Sequence, residues 1–429
     1  MPEQTGKITF TKVLGYTLLA VLLVIGIGAF IWRFRYGMGT THLTQHVPWG
    51  IWVALYIYFI GLSAGSFLLS TLVYVFGAKH LEPIGPLSLV QALICLTLGL
   101  FAILLDLGQP LHSYFVITHG NNTSVLTWEA RFYILYGLII MAEIWIALRP
   151  GFSDLSKAGG PFAKIYEWLS FGPDFDRKKW KVTASKLMFA LGIIGIPVAI
   201  AVHGGTGAIF AVTKARPYWF TGLFPIVFLV SALASGGGLL AFLAAMFLKL
   251  DKDLKYSLVR YLANLTIYIL VFDQLLLFFE LLVVFYGGVP DETIPWKYTI
   301  FGPTWSWTVF WFMQICVGVV IPAILILHPS WGKQTRNLGI AGILVVVGMM
   351  ATRTNIVIPA QLPPVIEGLD VAYPYNFRWE TGYAPSGVEI LSTIGVLVVC
   401  VWLFILAFKL LPINTGHGHS ADEEGSSHV

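Results

Sequence analysis

Ten long apolar stretches decide what this chain can fold into. They run roughly over 13–32, 51–76, 87–105, 131–148, 187–203, 221–248, 262–286, 305–327, 338–357 and 388–411. Each is close to the ~20 mostly apolar residues that carry a helix across a hydrocarbon layer. Lipid offers no partner for a free N–H or C=O, so a spanning segment is either a helix or a strand of a closed barrel. The runs are continuous and lack the alternation of barrel strands. The expected fold is an all-α polytopic membrane protein with about ten transmembrane helices. Of its 429 residues 57% are hydrophobic and 11% charged, and no connection is long enough to be a soluble domain.

Charge sets the expected orientation. Of the 26 Lys and Arg, 18 fall at the N-terminus, in the 77–86, 149–186, 249–261 and 328–337 connections, and at the C-terminus. The positive-inside rule then puts both termini in the cytoplasm and the 33–50, 106–130, 204–220, 287–304 and 358–387 connections outside. The 149–186 connection carries Arg177, Lys178, Lys179, Lys181 and Lys186 with Trp168 and Trp180; such a segment sets orientation and lies on anionic headgroups of the bilayer. The net charge of +4 is a sum over loops and implies no nucleic-acid partner. The first apolar stretch lacks a small-residue cleavage site and reads as a retained helix. The tail, 412–429, rich in Gly, Ser, acid and His, reads as disordered and cytoplasmic; its His417, His419 and His428 are expected to be solvated.

Two parts of the chain echo each other. Pro48-Trp49 precedes a helix containing Ser63-Ala64-Gly65-Ser66, and Pro217-Tyr218-Trp219 precedes one containing Ser235-Gly236-Gly237-Gly238. The expected organisation is an N-terminal helix and outer loop over 1–50, a four-helix bundle over 51–203, a second in parallel orientation over 204–357, and an outer loop with a last helix over 358–411. Small residues in the echoed helices let backbones approach closely.

Cofactor chemistry is constrained by what is missing. Cys95, Cys316 and Cys400 stand alone, with no spacing for an iron–sulfur cluster or zinc. The histidines fall at segment ends, in loops or in the tail, so a haem held between helices is not expected, and no metal site is.

Ionisable groups in or beside the spans are few, and each is costly unless paired or facing a cavity. Asp106 closes the third span, Glu129 opens the fourth, His203 ends the fifth before Gly204-Gly205-Thr206-Gly207, and Arg353 and Asn355 lie near the outer end of the ninth. The topology puts all of them at one depth. A quinone head needs hydrogen-bond donors and a proton route: histidine supplies both near neutral pH, and a carboxyl in an apolar setting holds its proton more readily. His112 or His203 with Asp106 or Glu129 would fill these roles, and each alone also fits a structural reading. Deeper carboxyls suggest a relay: Asp273 and Glu280 are seven residues apart, hence nearly on one face, and Glu143 follows Glu129 by fourteen residues, about 21 Å along a helix. A secondary transporter or ion channel with two parallel repeats would show a similar pattern.

The ordered motifs Pro48-Trp49-Gly50, Gly61-Leu62-Ser63-Ala64-Gly65-Ser66, Leu105-Asp106-Leu107-Gly108 and Asn122-Thr123-Ser124-Val125-Leu126-Thr127-Trp128-Glu129 resemble the NrfD/PsrC family. The ten spans, Tyr383-Ala384-Pro385-Ser386 and Leu410-Leu411-Pro412 resemble its longer branch, which includes the membrane subunit of hydrogenase-2 type complexes. The resemblance implies a membrane anchor without haem or clusters, not catalytic on its own, that binds menaquinone or ubiquinone near the periplasmic face of a prokaryotic cytoplasmic membrane. It implies a ferredoxin-like iron–sulfur subunit on that face, and further catalytic or cytochrome subunits. Asp106, Glu129, His203 and Arg353 match family positions that carry acidic, acidic, histidine and arginine residues. In the family the acidic residue at the Glu129 position is a candidate for proton transfer. The site expected from the residues has Glu129 and Asp106 as catalytic carboxyls and His112, His203, Arg353 and Asn355 as quinone contacts.

Overall fold

The computed structural model describes residues 10–363, 368, 372 and 382–413; the expected disordered tail from 414 lies outside the described residues. No strand occurs among them, and ten helices are long and apolar enough to cross a membrane. In chain order they are α1 (Phe10–Tyr36), α2 (Ile51–Tyr74), α3 (Gly85–Asp106), α4 (Val125–Ala158), α5 (Arg177–Ala211), α6 (Phe224–Phe247), α7 (Lys252–Gly287), α8 (Thr304–Leu327), α9 (Thr335–Val357) and α10 (Gly387–Leu410).

Several helices extend beyond their apolar cores, because hydropathy marks what lies in lipid and not where a helix stops. The 149–186 connection is mostly helical: α4 continues through Pro150 to Ala158, a short helix covers Ala163–Ser170, and α5 starts at Arg177. Asp176 caps α5, its side chain accepting from the Lys178 and Lys179 amides at 3.0 and 3.1 Å, and the Lys and Arg that follow are good helix formers. At the other end α5 runs on through Gly204-Gly205-Thr206-Gly207 to Ala211, so His203 does not end the helix as expected but sits two turns inside it. Packing explains this: a methyl group on Gly207 would lie 2.8 Å from the Pro225 Cα, so close contact with α6 holds the glycine-rich turn in place. Glu129 likewise lies inside α4, past its first turn, and Pro290–Phe301 in the 287–304 connection is helical. Within α8, Thr308–Val320 adopts wide π-type turns ending before Pro322, a residue without an N–H whose ring crowds the preceding turn.

Helix α2 is the most enclosed and packs on α3, α5, α6 and α9; α6 packs in turn on α7 and α9, and α8 on α9. The echoed motifs meet where α2 crosses α6. A methyl group on Gly236 would stand 2.6 Å from the Gly65 carbonyl carbon and the Ser66 amide, so only glycine allows this backbone contact. Gln91 of α3 bridges the crossing, donating to Ser66 Oγ at 2.5 Å and Gly236 O at 3.1 Å. Helices α1 and α10, expected as separate flanks, pack on each other through Gly26 and Gly395 and lie against α3.

Candidate functional site

Glu129 is 2% exposed, and three hydroxyls from three helices converge on its Oε1. Tyr133, one turn further along α4, donates at 2.7 Å, Tyr56 of α2 at 3.0 Å, and Thr206 of α5 also donates to it. The two tyrosine hydroxyls are 2.5 Å apart, and Thr206 Oγ1 is also 3.0 Å from Val202 O. Each hydroxyl has one proton and more than one acceptor within reach, so the cluster has alternative proton arrangements of similar geometry. Glu129 Oε2 is buried with no hydrogen-bond partner. Chemically, this is a carboxyl whose charge can be held by neutral donors and whose proton has neighbours to pass to.

Thr206 and His203 are three residues apart and share a face of α5, which joins this cluster to the seam between the two sets of helices. His203 and Arg353 are both fully buried there. A methyl group on Gly61 would lie 3.3 Å from His203 Cε1 and 3.4 Å from Arg353 Nη2, so the absent side chain leaves room for both. Arg353 Nη2 donates to Ser231 Oγ at 2.6 Å, and the guanidinium lies 4.6 Å over the Phe228 ring. Its Nε and Nη1, and both nitrogens of His203, lack hydrogen-bond geometry to any partner, although the Phe228 backbone lies close to the histidine. Two polar groups with unfilled capacity thus meet over Gly61 of α2.

On the far side of Arg353, Asp273 of α7 is within electrostatic reach and accepts from Gln274 at 3.0 Å. It lines a small cavity with Gln274, Gln314 and Thr352. Asn355 Nδ2 donates to Gln314 Oε1 at 2.7 Å, tying α9 to the wide turns of α8. Glu280, half-buried two turns from Asp273, interacts with it electrostatically. Glu143 is buried on α4 beside α5, its Oε1 without a partner.

The two Pro/aromatic motifs form a lid over this seam. Trp49 stacks on Trp219 with centroids 5.4 Å apart at 25°, and Trp219 Nε1 donates to Ile356 O at 2.8 Å. Arg216 ties three connections together through His46 O, Gln361 O and Pro363 O at 3.0, 3.1 and 2.7 Å. Burial lowers the Arg216 pKa and, with the nearby Glu280, raises that of the Tyr218 hydroxyl, so Tyr218 stays protonated.

Of the residues singled out in the sequence, the structure gathers Glu129, His203 and Arg353 at the seam, with Asn355 and Asp273 behind Arg353. Asp106 touches none of these; it lies at the end of α3 beside Arg33, whose guanidinium covers the Trp52 ring one turn of α2 from Tyr56. His112 is exposed, bonded to Gln109 at 2.6 Å and stacked on Phe115, and touches none of the others. Sequence reasoning missed Tyr56, Tyr133, Thr206, Ser231 and Gln314. Tyr133 alone carried a signal, since it lies four residues from Glu129; the rest are ordinary residues in apolar helices.

A family model described as Polysulphide reductase, NrfD, matches residues 39–364. The chain belongs to the NrfD family. Its curated relatives in that family include a selenate reductase subunit of Mesobacillus selenatarsenatis, 38% identical over 94% of each chain. A putative dimethyl sulfoxide reductase membrane subunit of Halobacterium salinarum is 28% identical over 92% of this chain and 90% of its own. An Hdr-like menaquinol oxidoreductase integral membrane subunit of Archaeoglobus fulgidus is 28% identical over 96% and 97%. These NrfD-family alignments take in nearly the whole chain, whereas the family model leaves out α1 and α10.

Proposed function

We propose that this chain is the quinone-interacting membrane subunit of a respiratory oxidoreductase, exchanging electrons between menaquinone or ubiquinone in the bilayer and an iron–sulfur partner at the end of the molecule where Trp49, Arg216 and Gln361 meet. In this reading that end is periplasmic, both chain termini are cytoplasmic, and further catalytic or cytochrome subunits complete the complex. Support comes from the family and from relatives named for selenate reductase and menaquinol oxidoreductase.

The observation that carries the reading is the Glu129 cluster. Interconversion of quinone and quinol moves two electrons and two protons, and a positioned acid–base group beside an apolar path is what the proton half requires. Glu129 gives or takes the proton, and Tyr56, Tyr133 and Thr206 hold the carboxylate when it is charged. On the outer turn of the same helix, the exposed Leu126 and Trp128 offer an apolar wall to an isoprenoid tail. Asp106 serves as a second carboxyl of the site, His203, Arg353 and Asn355 as polar groups toward the head, and Glu143, Asp273 and Glu280 as stations of proton transfer. The test is Glu129→Gln in the purified complex, followed as quinol-dependent reduction of the partner's clusters. Turnover is expected to fall about a hundredfold or more with assembly retained; native turnover would remove Glu129 from the chemistry.

A further inference from the structure

Helices α1 and α10 lie outside the stretch the family model matches, yet their outer ends reach the end of α3. Arg33 of α1 is 1% exposed. Its Nε donates to Leu105 O at 2.9 Å and its Nη2 to Leu107 O at 2.7 Å, and the guanidinium lies 5.6 Å over the Trp52 ring. Those two carbonyls flank Asp106, whose Oδ1 is buried without a partner. A helix C-terminus leaves carbonyls unpaired and gathers negative potential, which a carboxylate there makes worse. One cation bonded to carbonyls on both sides of Asp106 answers both problems.

Helix α10 supplies the counterweight. Glu389 is fully buried in its first turn and accepts from the His42 amide at 3.0 Å, the Tyr383 hydroxyl at 2.6 Å and the Ser386 amide at 2.8 Å. Glu389 and Tyr383 are both within electrostatic reach of Asp106. Burial first, and Glu389 second, raise the Tyr383 pKa, so that hydroxyl serves as a donor. Glu389 has three donors and Asp106 Oδ1 has none, so of these two carboxyls Asp106 is the one with a buried oxygen left without a partner.

We propose that Arg33 is a positioning residue that holds Asp106 in the quinone site, making the α1–α10 pair a working part of that site. This rests on the reading of Asp106 given above. The test compares Arg33→Met, Arg33→Lys and Asp106→Asn in the purified complex, with quinol KM and kcat measured separately and thermal melting recorded. Loss of a charge-assisted contact is expected to raise the quinol KM about tenfold in Arg33→Met. Arg33→Lys, which keeps the charge but cannot span both carbonyls, is expected to recover much but not all of it. A native KM in Arg33→Met beside an impaired Asp106→Asn makes Arg33 a packing staple only and overturns the proposal, whatever the melting temperature does. If Arg33→Met does not assemble, Arg33→Lys decides: a raised KM supports the proposal and a native one overturns it. Native kinetics in Asp106→Asn is a different failure, since it removes Asp106 from the site and the proposal with it.

Discussion

The two halves of the molecule bury ionisable groups in opposite ways. On the α2–α5 side, Glu129 is surrounded by neutral hydroxyls, three of them on one oxygen. On the α6–α9 side, Arg353 has one hydroxyl, one aromatic ring and a carboxylate at a distance. Neutral donors can accommodate either protonation state of a carboxyl at modest cost, because hydroxyl protons reorient. A guanidinium has no second state and must be compensated permanently. The first arrangement suits proton exchange and the second suits a fixed field.

The largest effect is expected where compensation is fixed. Arg353→Leu removes the buried cation within electrostatic reach of Asp273 and its hydrogen bond to Ser231; with the carboxyl outside ion-pair contact, the loss is expected to be about 1.5–3 kcal/mol. It should appear as a marked fall in the melting temperature of the detergent-solubilised complex, partly restored in Arg353→Leu/Asp273→Asn. Equal melting of the single and double variants would break the contrast, since Asp273 would then not be the compensating group. Next comes Tyr133→Phe, which removes one of three donors. A neutral hydrogen bond contributes roughly 0.5–1.5 kcal/mol, so quinol turnover should slow by about tenfold or less, well short of Glu129→Gln. A loss as large as that of Glu129→Gln would instead make Tyr133 an obligatory proton carrier and sharpen the reading of the cluster. The smallest effect is expected at His112→Ala, whose exposed ring bonds Gln109 and stacks on Phe115; turnover and melting should stay near native, within the ~0.5 kcal/mol common for surface changes. A large loss of turnover there would move the quinone site outward, toward the Pro110–Thr118 surface.

Much of this was legible in the sequence, and for identifiable reasons. Long apolar runs located the ten spanning helices found among the described residues, because lipid demands them. Glu129, His203 and Arg353 stood out because ionisable residues are rare in such a composition. The small residues of Ser63–Ser66 and Ser235–Gly238 were expected to allow close backbone approach, but not to meet each other. The bounds of α5 were not legible: Lys-rich and Gly-rich turns look like loops until a cap at Asp176 and packing at Gly207 hold them helical. Nor was the hydroxyl shell of Glu129, since Tyr56 and Thr206 are far apart in the chain and unremarkable in type.

The sequence by itself determined the class of protein, the number of spanning helices and the residue types available for chemistry, because burial in lipid acts on each segment separately. Tertiary structure alone decided which of those residues act together. Proximity between Glu129 and Thr206, between His203 and Arg353, or between Arg33 and the two sides of Asp106 depends on how the helices rotate and cross, and that is set by glycine contacts such as Gly65–Gly236 and Gly26–Gly395 between segments distant in the chain.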